Sequence, residues 1–147
     1  MNEEDITKEE EYLAGWKRAQ ADLENYKREE DERIGKVKEY VTESMVMELL
    51  EVLDNLERAE KGITAKQKKD SVVQGFLQIS KQLQDFLKNQ GVEEMEALGE
   101  PFEPALHEAV GQIQSKKYKS GEVARVVEKG YKRGDSLLRV AKVQIVA

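Results

Sequence analysis

Apolar residues recur every eleven positions along the first part of the chain, at Tyr12, Leu23, Ile34, Met45 and Leu56, and no proline interrupts this stretch. At about 3.67 residues per turn, an eleven-residue repeat stays close to the period of an α-helix and keeps one apolar stripe aligned over a great length. A stripe this narrow needs a partner helix to bury it, most simply a second copy of the same chain. The repeat therefore predicts long paired N-terminal helices.

Residues 1–62 are predicted to form this long coiled-coil-like helix, which enters a helical bundle near its end. Apolar density rises between Val41 and Leu56, and a wider apolar face is typical of a bundle. A loop and a second bundle helix follow at residues 63–91, and doubling the pair makes a dimeric four-helix bundle. The predicted dimer seam consists of Tyr12, Trp16, Leu23, Tyr26, Ile34, Val37, Met45, Leu49 and Leu56.

Residues 92–147 are predicted to form a small C-terminal antiparallel β-domain. Both prolines of the chain and several β-branched clusters lie in this segment. In the last cluster Ala141, Val143 and Ile145 alternate with polar residues, which is the pattern of a strand with one buried face. The predicted fold class is therefore α+β: long paired helices, a dimeric four-helix bundle and a small β-domain.

Composition narrows the possible functions. The absence of cysteine excludes disulfides, thiolate metal sites and cysteine nucleophiles. The acidic N-terminus lacks the apolar core of a signal peptide, and no apolar run approaches the roughly 18 residues of a membrane span. We therefore expect a cytoplasmic protein with no membrane partner. A net charge of −6 argues against binding of nucleic acid in bulk.

The sequence suggests no catalytic or cofactor site. His107 is the only histidine, and with no cysteine or second histidine to help it we expect a structural residue that holds a loop. No glycine-rich phosphate loop is present. The basic run at residues 116–119 could bind nucleic acid, but an exposed loop between two strands is the favoured interpretation. We predict that the protein is not an enzyme and uses no metal or cofactor.

Several motifs resemble the GrpE family. The stretch GVEEMEALGEPFEPALHEAV at 91–110 is followed by Gly130-Tyr131 and by LLRVAKVQI at 137–145, in the order and at the spacing of that family. The upstream segments RAQADLENYKR at 18–28 and LLEVLDNLERA at 49–59 also match. The resemblance implies an elongated homodimer that serves DnaK-type heat-shock chaperones as a nucleotide exchange factor. Its β-domain would grip the chaperone's nucleotide-binding domain and open the cleft, so that ADP leaves.

The resemblance also implies chaperone-binding positions. Lys27 and Lys36 fall where family members present basic groups from the long helix, and Gly75 falls where a side chain disturbs the contact. Ser136 stands where an arginine is often found, and Arg133 or Arg139 is the candidate substitute. The remaining positions implied on the β-domain, each with a place in the domain core as the alternative, are Phe102, Val127, Val143 and Ile145.

The repeat and the β-domain alone fit a second function equally well, a structural coiled-coil adaptor whose β-domain grips some other partner. Only the motifs between residues 91 and 145 favour the exchange factor over this adaptor.

Overall fold

The computed structural model describes residues 3–147, with side chains from residue 6 onward. A long N-terminal helix is followed by a second helix and six strands, so the α+β class is confirmed. The elements are α1 (Glu3–Lys61), α2 (Ser71–Asn89), β1 (Val92–Met95), β2 (His107–Ile113), β3 (Val123–Glu128), β4 (Gly130–Arg133), β5 (Ser136–Arg139) and β6 (Ala141–Val146). Among these residues, neither helix is long and apolar enough to cross a membrane.

The chain divides into two compact units between Thr42 and Glu43. The described part of the first unit consists of α1 alone, and its apolar side chains are exposed. Trp16, the only tryptophan of the chain, is 62% exposed. The second unit contains the end of α1, all of α2 and all six strands, and it holds the buried core described below.

Local sequence signals set both ends of α2. The Asp70 carboxylate accepts a hydrogen bond from the backbone N–H of Val72 at 2.8 Å, which satisfies one of the donors left over at a helix N-terminus. Gly91 follows the last turn with a φ of +80°, a conformation that glycine adopts without steric cost. This tight exit lets β1 begin at the next residue, Val92, whose side chain is buried.

The six strands form two three-stranded sheets. In the first sheet, with strand order β1-β4-β5, both pairings are antiparallel. In the second sheet, with order β2-β6-β3, β3 pairs with β6 antiparallel but β2 pairs with β6 in parallel. The predicted antiparallel domain is therefore corrected for the β2–β6 pair. The three strands between β2 and β6 give the chain the long connection that a parallel pair requires.

Each sheet contributes side chains to a different apolar cluster. The first sheet packs on the two helices, in a cluster made of Val46, Leu50 and Leu53 of α1, Leu87 of α2, Val92, Tyr131 and Leu138, with Leu49 and Leu83 against it. The second cluster lies within the β-domain and comprises Ala97, Val123, Ala141 and Val143, with Phe102, Val126 and Ile145 packed on it. The helices thus contribute side chains to the core of the first sheet, while the second sheet encloses a core of its own.

The chain crosses between the sheets three times, and the two crossings made by a single residue lie against each other. Lys129 connects β3 to β4, and Val140 connects β5 to β6. A Cβ atom at Gly130 would lie 2.7 Å from the backbone N of Ala141 and 2.7 Å from Cε of Met95. Non-bonded carbon contacts need about 3.5 Å or more, so the crossings approach this closely only because residue 130 has no side chain.

We predict that Gly130→Ala lowers the free energy of unfolding by about 3 kcal/mol, because relieving the clash requires backbone movement in an enclosed strand. Urea denaturation followed by circular dichroism measures this value. Gly111→Ala is the matched control, because its Cβ would meet only Gln144, at an ordinary 3.5 Å. An effect of Gly130→Ala no larger than that of the control would contradict the close approach of the crossings.

Candidate functional site

A cluster of paired charges, which we call the charged junction, joins the β-domain to α1. It consists of Asp54 and Glu57 on α1 together with Glu128, Lys129 and Arg139 of the β-domain. Asp54 and Glu57 are three residues apart on the helix, so their carboxylates lie on one face. Each accepts hydrogen bonds from one β-domain cation, Asp54 from Arg139 and Glu57 from Lys129.

Arg139 makes the most specific contacts of the junction. Its two terminal nitrogens donate to the two carboxylate oxygens of Asp54 at 2.7 and 2.8 Å, a bidentate geometry that fixes direction as well as distance. Its Nε donates to the backbone carbonyl of Lys129 at 2.9 Å and lies 3.5 Å from a Glu128 oxygen. The guanidinium also lies over the Tyr131 ring, 5.4 Å from its centre. Only 13% of the Arg139 side chain remains exposed.

Lys129 bridges the helix and the first sheet. Its ammonium group lies 3.0 Å from a Glu57 oxygen and 3.1 Å from a Glu94 oxygen on β1. Burial by itself lowers the pKa of Lys129, but the hydrogen bonds to the two carboxylates outweigh burial and raise the pKa above its ordinary value. Lys129 therefore stays charged, and it holds α1 and β1 together as a cation.

This geometry changes the interpretation of Arg139. The resemblance placed it among the chaperone-binding residues, as a substitute for the arginine missing at position 136. In the structure its donors are directed at Asp54 and at the Lys129 carbonyl of the same chain. Ser136 itself is half-buried at the start of β5, after the turn at Gly134. The donors of Arg139 are thus engaged within the protein, and its role as a direct chaperone contact stays a prediction.

The apolar positions implied on the β-domain separate into two groups. Val143 is completely buried, and Phe102 and Ile145 pack on the same cluster, so these three take the core alternative, with Phe102 and Ile145 only partly covered. Val127, by contrast, is 55% exposed. Leu98, which the sequence did not single out, is equally exposed and lines the same cleft. Its place after a short strand, outside any alternating pattern, gave no signal in the sequence.

Val127 and Leu98 lie in an open cleft of about 400 Å³ between the end of α1 and the β-domain. Arg58 and Lys61 of α1 stand on its helical side, and residues of the charged junction line it from the β-domain side. An exposed apolar pair surrounded by charges of both signs is typical of a protein-binding surface, because the apolar centre supplies affinity and the charged rim supplies orientation. This cleft is the candidate partner-binding surface of the second unit.

The positions implied on the helices are accessible. Lys27 and Lys36 are exposed on α1 in the first unit. They are nine residues apart, about two and a half turns, and so point to opposite sides of the helix. Gly75 is half-buried in α2, and a Cβ there would meet no atom within 4 Å. The helix thus does not bring the two lysines together on one face.

The predicted seam residues remain uncovered or partly covered in this single chain. The exposed members are Tyr12, Trp16, Leu23, Tyr26, Ile34, Val37 and Met45, and the half-buried members are Leu49 and Leu56. A second stripe on α1, formed by Val46, Leu50 and Leu53, faces the first sheet instead. The wide apolar face predicted for the end of α1 thus has two parts. One part packs on the first sheet of the same chain, and the other part stays exposed.

His107 has the structural role that the sequence predicted. Its Nδ1 accepts a hydrogen bond from the backbone N–H of Glu103 at 3.0 Å, and its own backbone N–H donates to the Glu103 carbonyl at 2.8 Å. The ring is buried with its centre 6.0 Å from that of Phe102. Together these contacts hold the turn that precedes β2. Among the described residues, no group of three or more His, Asp or Glu side chains is placed to hold a metal ion.

Comparison with known proteins gives a consistent result. The family model described as GrpE matches residues 2–147. Protein GrpE of Geobacillus kaustophilus (strain HTA426) is 40% identical over 128 residues, which cover 87% of this chain and 60% of that protein. For Protein GrpE of Geobacillus stearothermophilus the identity is 38%, with 87% and 58% covered. Protein GrpE of Alkaliphilus oremlandii (strain OhILAs) is 39% identical over 92% of this chain and 72% of its own. The chain thus spans about three fifths of the length of the two Geobacillus proteins.

The pKa of Tyr131, whose ring lies against Arg139 of the charged junction, leads to a prediction for alkaline pH. Burial, followed by the negative charge of Glu57, raises the pKa of Tyr131 from 10.0 to about 12. The unfolded chain therefore releases this proton first, so stability is intact below pH 10 and falls as the pH rises from 10 towards 12. We expect Tyr131→Phe to lose less stability than the wild type over this interval. Urea denaturation at several alkaline pH values measures the difference, and parallel losses in the two proteins would show that the phenol titrates alike in both states.

Proposed function

Because the chain belongs to the GrpE family, we propose that it is a nucleotide exchange factor for a DnaK-type chaperone. The match of the family model to residues 2–147 carries this proposal, since it includes both helices and the whole β-domain. The activity consists of binding a partner and involves no bond-making chemistry. The partner is the nucleotide-binding domain of the chaperone.

The proposed mechanism is differential affinity. The protein binds the open state of the nucleotide-binding domain more tightly than the closed, ADP-filled state and so shifts the population towards the open state. Linkage requires the effect to be reciprocal: the protein weakens ADP binding by the factor by which ADP weakens binding of the protein. ADP then leaves, and ATP can enter.

The cleft around Leu98 and Val127 is the proposed site of contact with the nucleotide-binding domain. It combines an exposed apolar pair with charged side chains of α1 and the β-domain, all within the second unit. The apolar pair would bind one lobe of the partner, and the basic residues Arg58 and Lys61 would pair with acidic groups beside it. Lys27 and Lys36, on opposite sides of α1, would each add a separate electrostatic contact.

The first testable consequence is faster nucleotide release. In stopped-flow experiments with a fluorescent ADP analogue, we expect this protein to accelerate release from a DnaK-type chaperone on the order of a hundredfold, because a coupling free energy of about 3 kcal/mol corresponds to that factor. The charge reversal Lys27→Glu/Lys36→Glu should raise the half-saturating concentration about tenfold.

The matched control is Lys81→Glu/Lys116→Glu, which reverses two other exposed lysines and changes the net charge equally. Equal effects of the two double variants would remove Lys27 and Lys36 from the interface. No acceleration by a folded wild-type protein would refute the exchange function and favour the adaptor.

We also propose that the protein is a homodimer paired along α1. The exposed seam residues support this, because an apolar stripe along a helix needs a second helix to cover it. On α2, Val72, Ile79 and Phe86 are likewise exposed at a spacing of seven, which gives the proposed four-helix bundle its second apolar stripe.

Trp16 provides the test of dimerisation. It is 62% exposed in the single chain, and a partner helix would bury it. We expect a dimer in sedimentation equilibrium and a red shift of tryptophan fluorescence on dilution. Leu23→Asp should shift dissociation to concentrations at least tenfold higher, because a charge in an apolar seam costs more than about 1.4 kcal/mol. Lys17→Asp, at an exposed polar position on the same helix, is the control. A concentration-independent spectrum with a monomer mass would contradict the paired helices.

A further inference from the structure

Of the three crossings between the two sheets, the two made by a single residue lie at the charged junction. Lys129 is the single residue between β3 and β4, and Arg139 is the last residue of β5, immediately before the second crossing at Val140. The hydrogen bond from Arg139 Nε to the Lys129 carbonyl ties one crossing to the other at 2.9 Å. The cations are therefore held where these two short connections between the sheets meet.

The same two cations connect both crossings to α1. Arg139 binds Asp54 with two hydrogen bonds, and Lys129 binds Glu57 one turn further along the helix. A third cation, Lys142 on β6 of the second sheet, pairs with Glu128 at 3.1 Å, and Glu128 in turn faces Arg139. The junction thus forms a continuous chain of contacts from the helix through both crossings into the second sheet.

Apolar packing alone does not give the second sheet this connection. The cluster that joins the β-domain to the helices draws its strand residues from the first sheet, namely Val92, Tyr131 and Leu138. The cluster under the second sheet consists of β-domain residues only. Moreover, apolar contacts are non-directional, whereas a bidentate arginine–carboxylate pair fixes an angle. Beyond apolar packing, the second sheet is thus connected to the end of α1 through its links to the first sheet and through the ion pairs of the junction.

We propose that the charged junction is an orientation lock, in which Arg139 and Lys129 act as positioning residues that hold the second sheet at one angle to α1. Val127 is carried by β3 of the second sheet, while Arg58 and Lys61 are carried by α1. The lock keeps these parts of the cleft in the arrangement that a partner meets. Its effect on activity rests on the exchange function proposed above; its effect on orientation does not.

The lock makes a specific kinetic prediction. If it pre-organises the cleft, releasing it lowers the fraction of molecules competent to bind, and the apparent dissociation constant rises in inverse proportion. The bound complex still reaches the same geometry at saturation. We therefore expect Asp54→Asn to raise the half-saturating concentration for nucleotide release on the order of tenfold and to leave the maximal rate within twofold of the wild type.

The orientation itself is measured without the chaperone. Because the chain has no cysteine, Glu48→Cys on α1 and Gln112→Cys on β2 introduce two unique sites for spin labels, both exposed and both in the second unit. Pulsed electron paramagnetic resonance then gives the distance distribution in labelled protein mixed with a large excess of unlabelled protein. We expect one narrow peak in the wild type and a broad or shifted distribution in Asp54→Asn.

Two further variants make the result decisive. Arg139→Lys keeps the buried charge but loses the bidentate geometry, so it should also broaden the distance distribution. If circular dichroism shows that Asp54→Asn is unfolded, the Arg139→Lys variant tests the orientation lock in its place. Asp85→Asn, at an exposed position on α2, makes the same change of net charge and should behave as the wild type.

Unchanged narrow peaks in folded Asp54→Asn and Arg139→Lys would overturn the lock. A broad peak with an unchanged half-saturating concentration would overturn its role in partner binding. If even the wild type failed to accelerate release, the exchange function would fall, and the distance distributions would still decide whether the lock exists.

Discussion

The bidentate pair between Arg139 and Asp54 connects parts of the molecule that packing alone leaves loosely related. Residues 85 positions apart in sequence meet at 2.7 and 2.8 Å, and the same guanidinium holds the backbone of the first crossing through the Lys129 carbonyl. The pair is largely shielded from water, so loss of one partner would leave a poorly solvated charge. In the proposed orientation lock, the angle of the second sheet and the form of the candidate cleft depend on this junction.

The family motifs gain a physical meaning from the structure. Gly130 is where the crossings touch, Tyr131 packs between the helices and the first sheet beneath Arg139, and Val143 lies in the second core. Val143, which the resemblance offered as a partner contact, thus belongs to the scaffold. An exposed apolar surface remains around Val127 and Leu98.

The first unit, unlike the second, has no buried apolar core among its described residues. Its described residues form a helix whose apolar stripe is exposed, with no sheet of its own unit to cover it. The end of α1 solves this problem within the chain, because Val46, Leu50 and Leu53 turn towards the first sheet. Along residues 6–42 the proposed cover is a second copy of the chain. One helix therefore serves both as the scaffold of the β-domain and as the proposed dimer seam.

The sequence by itself determined the long helix, the loop and second helix that follow it, the main β-strands and the family. These features could be predicted because periodicity, capping residues and motif order are local signals. It also indicated the structural role of His107, whose partner Glu103 is four residues away. Only the tertiary structure decided that Arg139 is occupied by Asp54, that Val143 is buried while Val127 is exposed, and that β2 and β6 run parallel. Each of these features depends on residues that are distant in the chain. Strand alternation indicates that one face is buried, but it does not indicate which face meets the helices. The position of a charged residue in the sequence likewise does not show which opposite charge it will pair with in the fold.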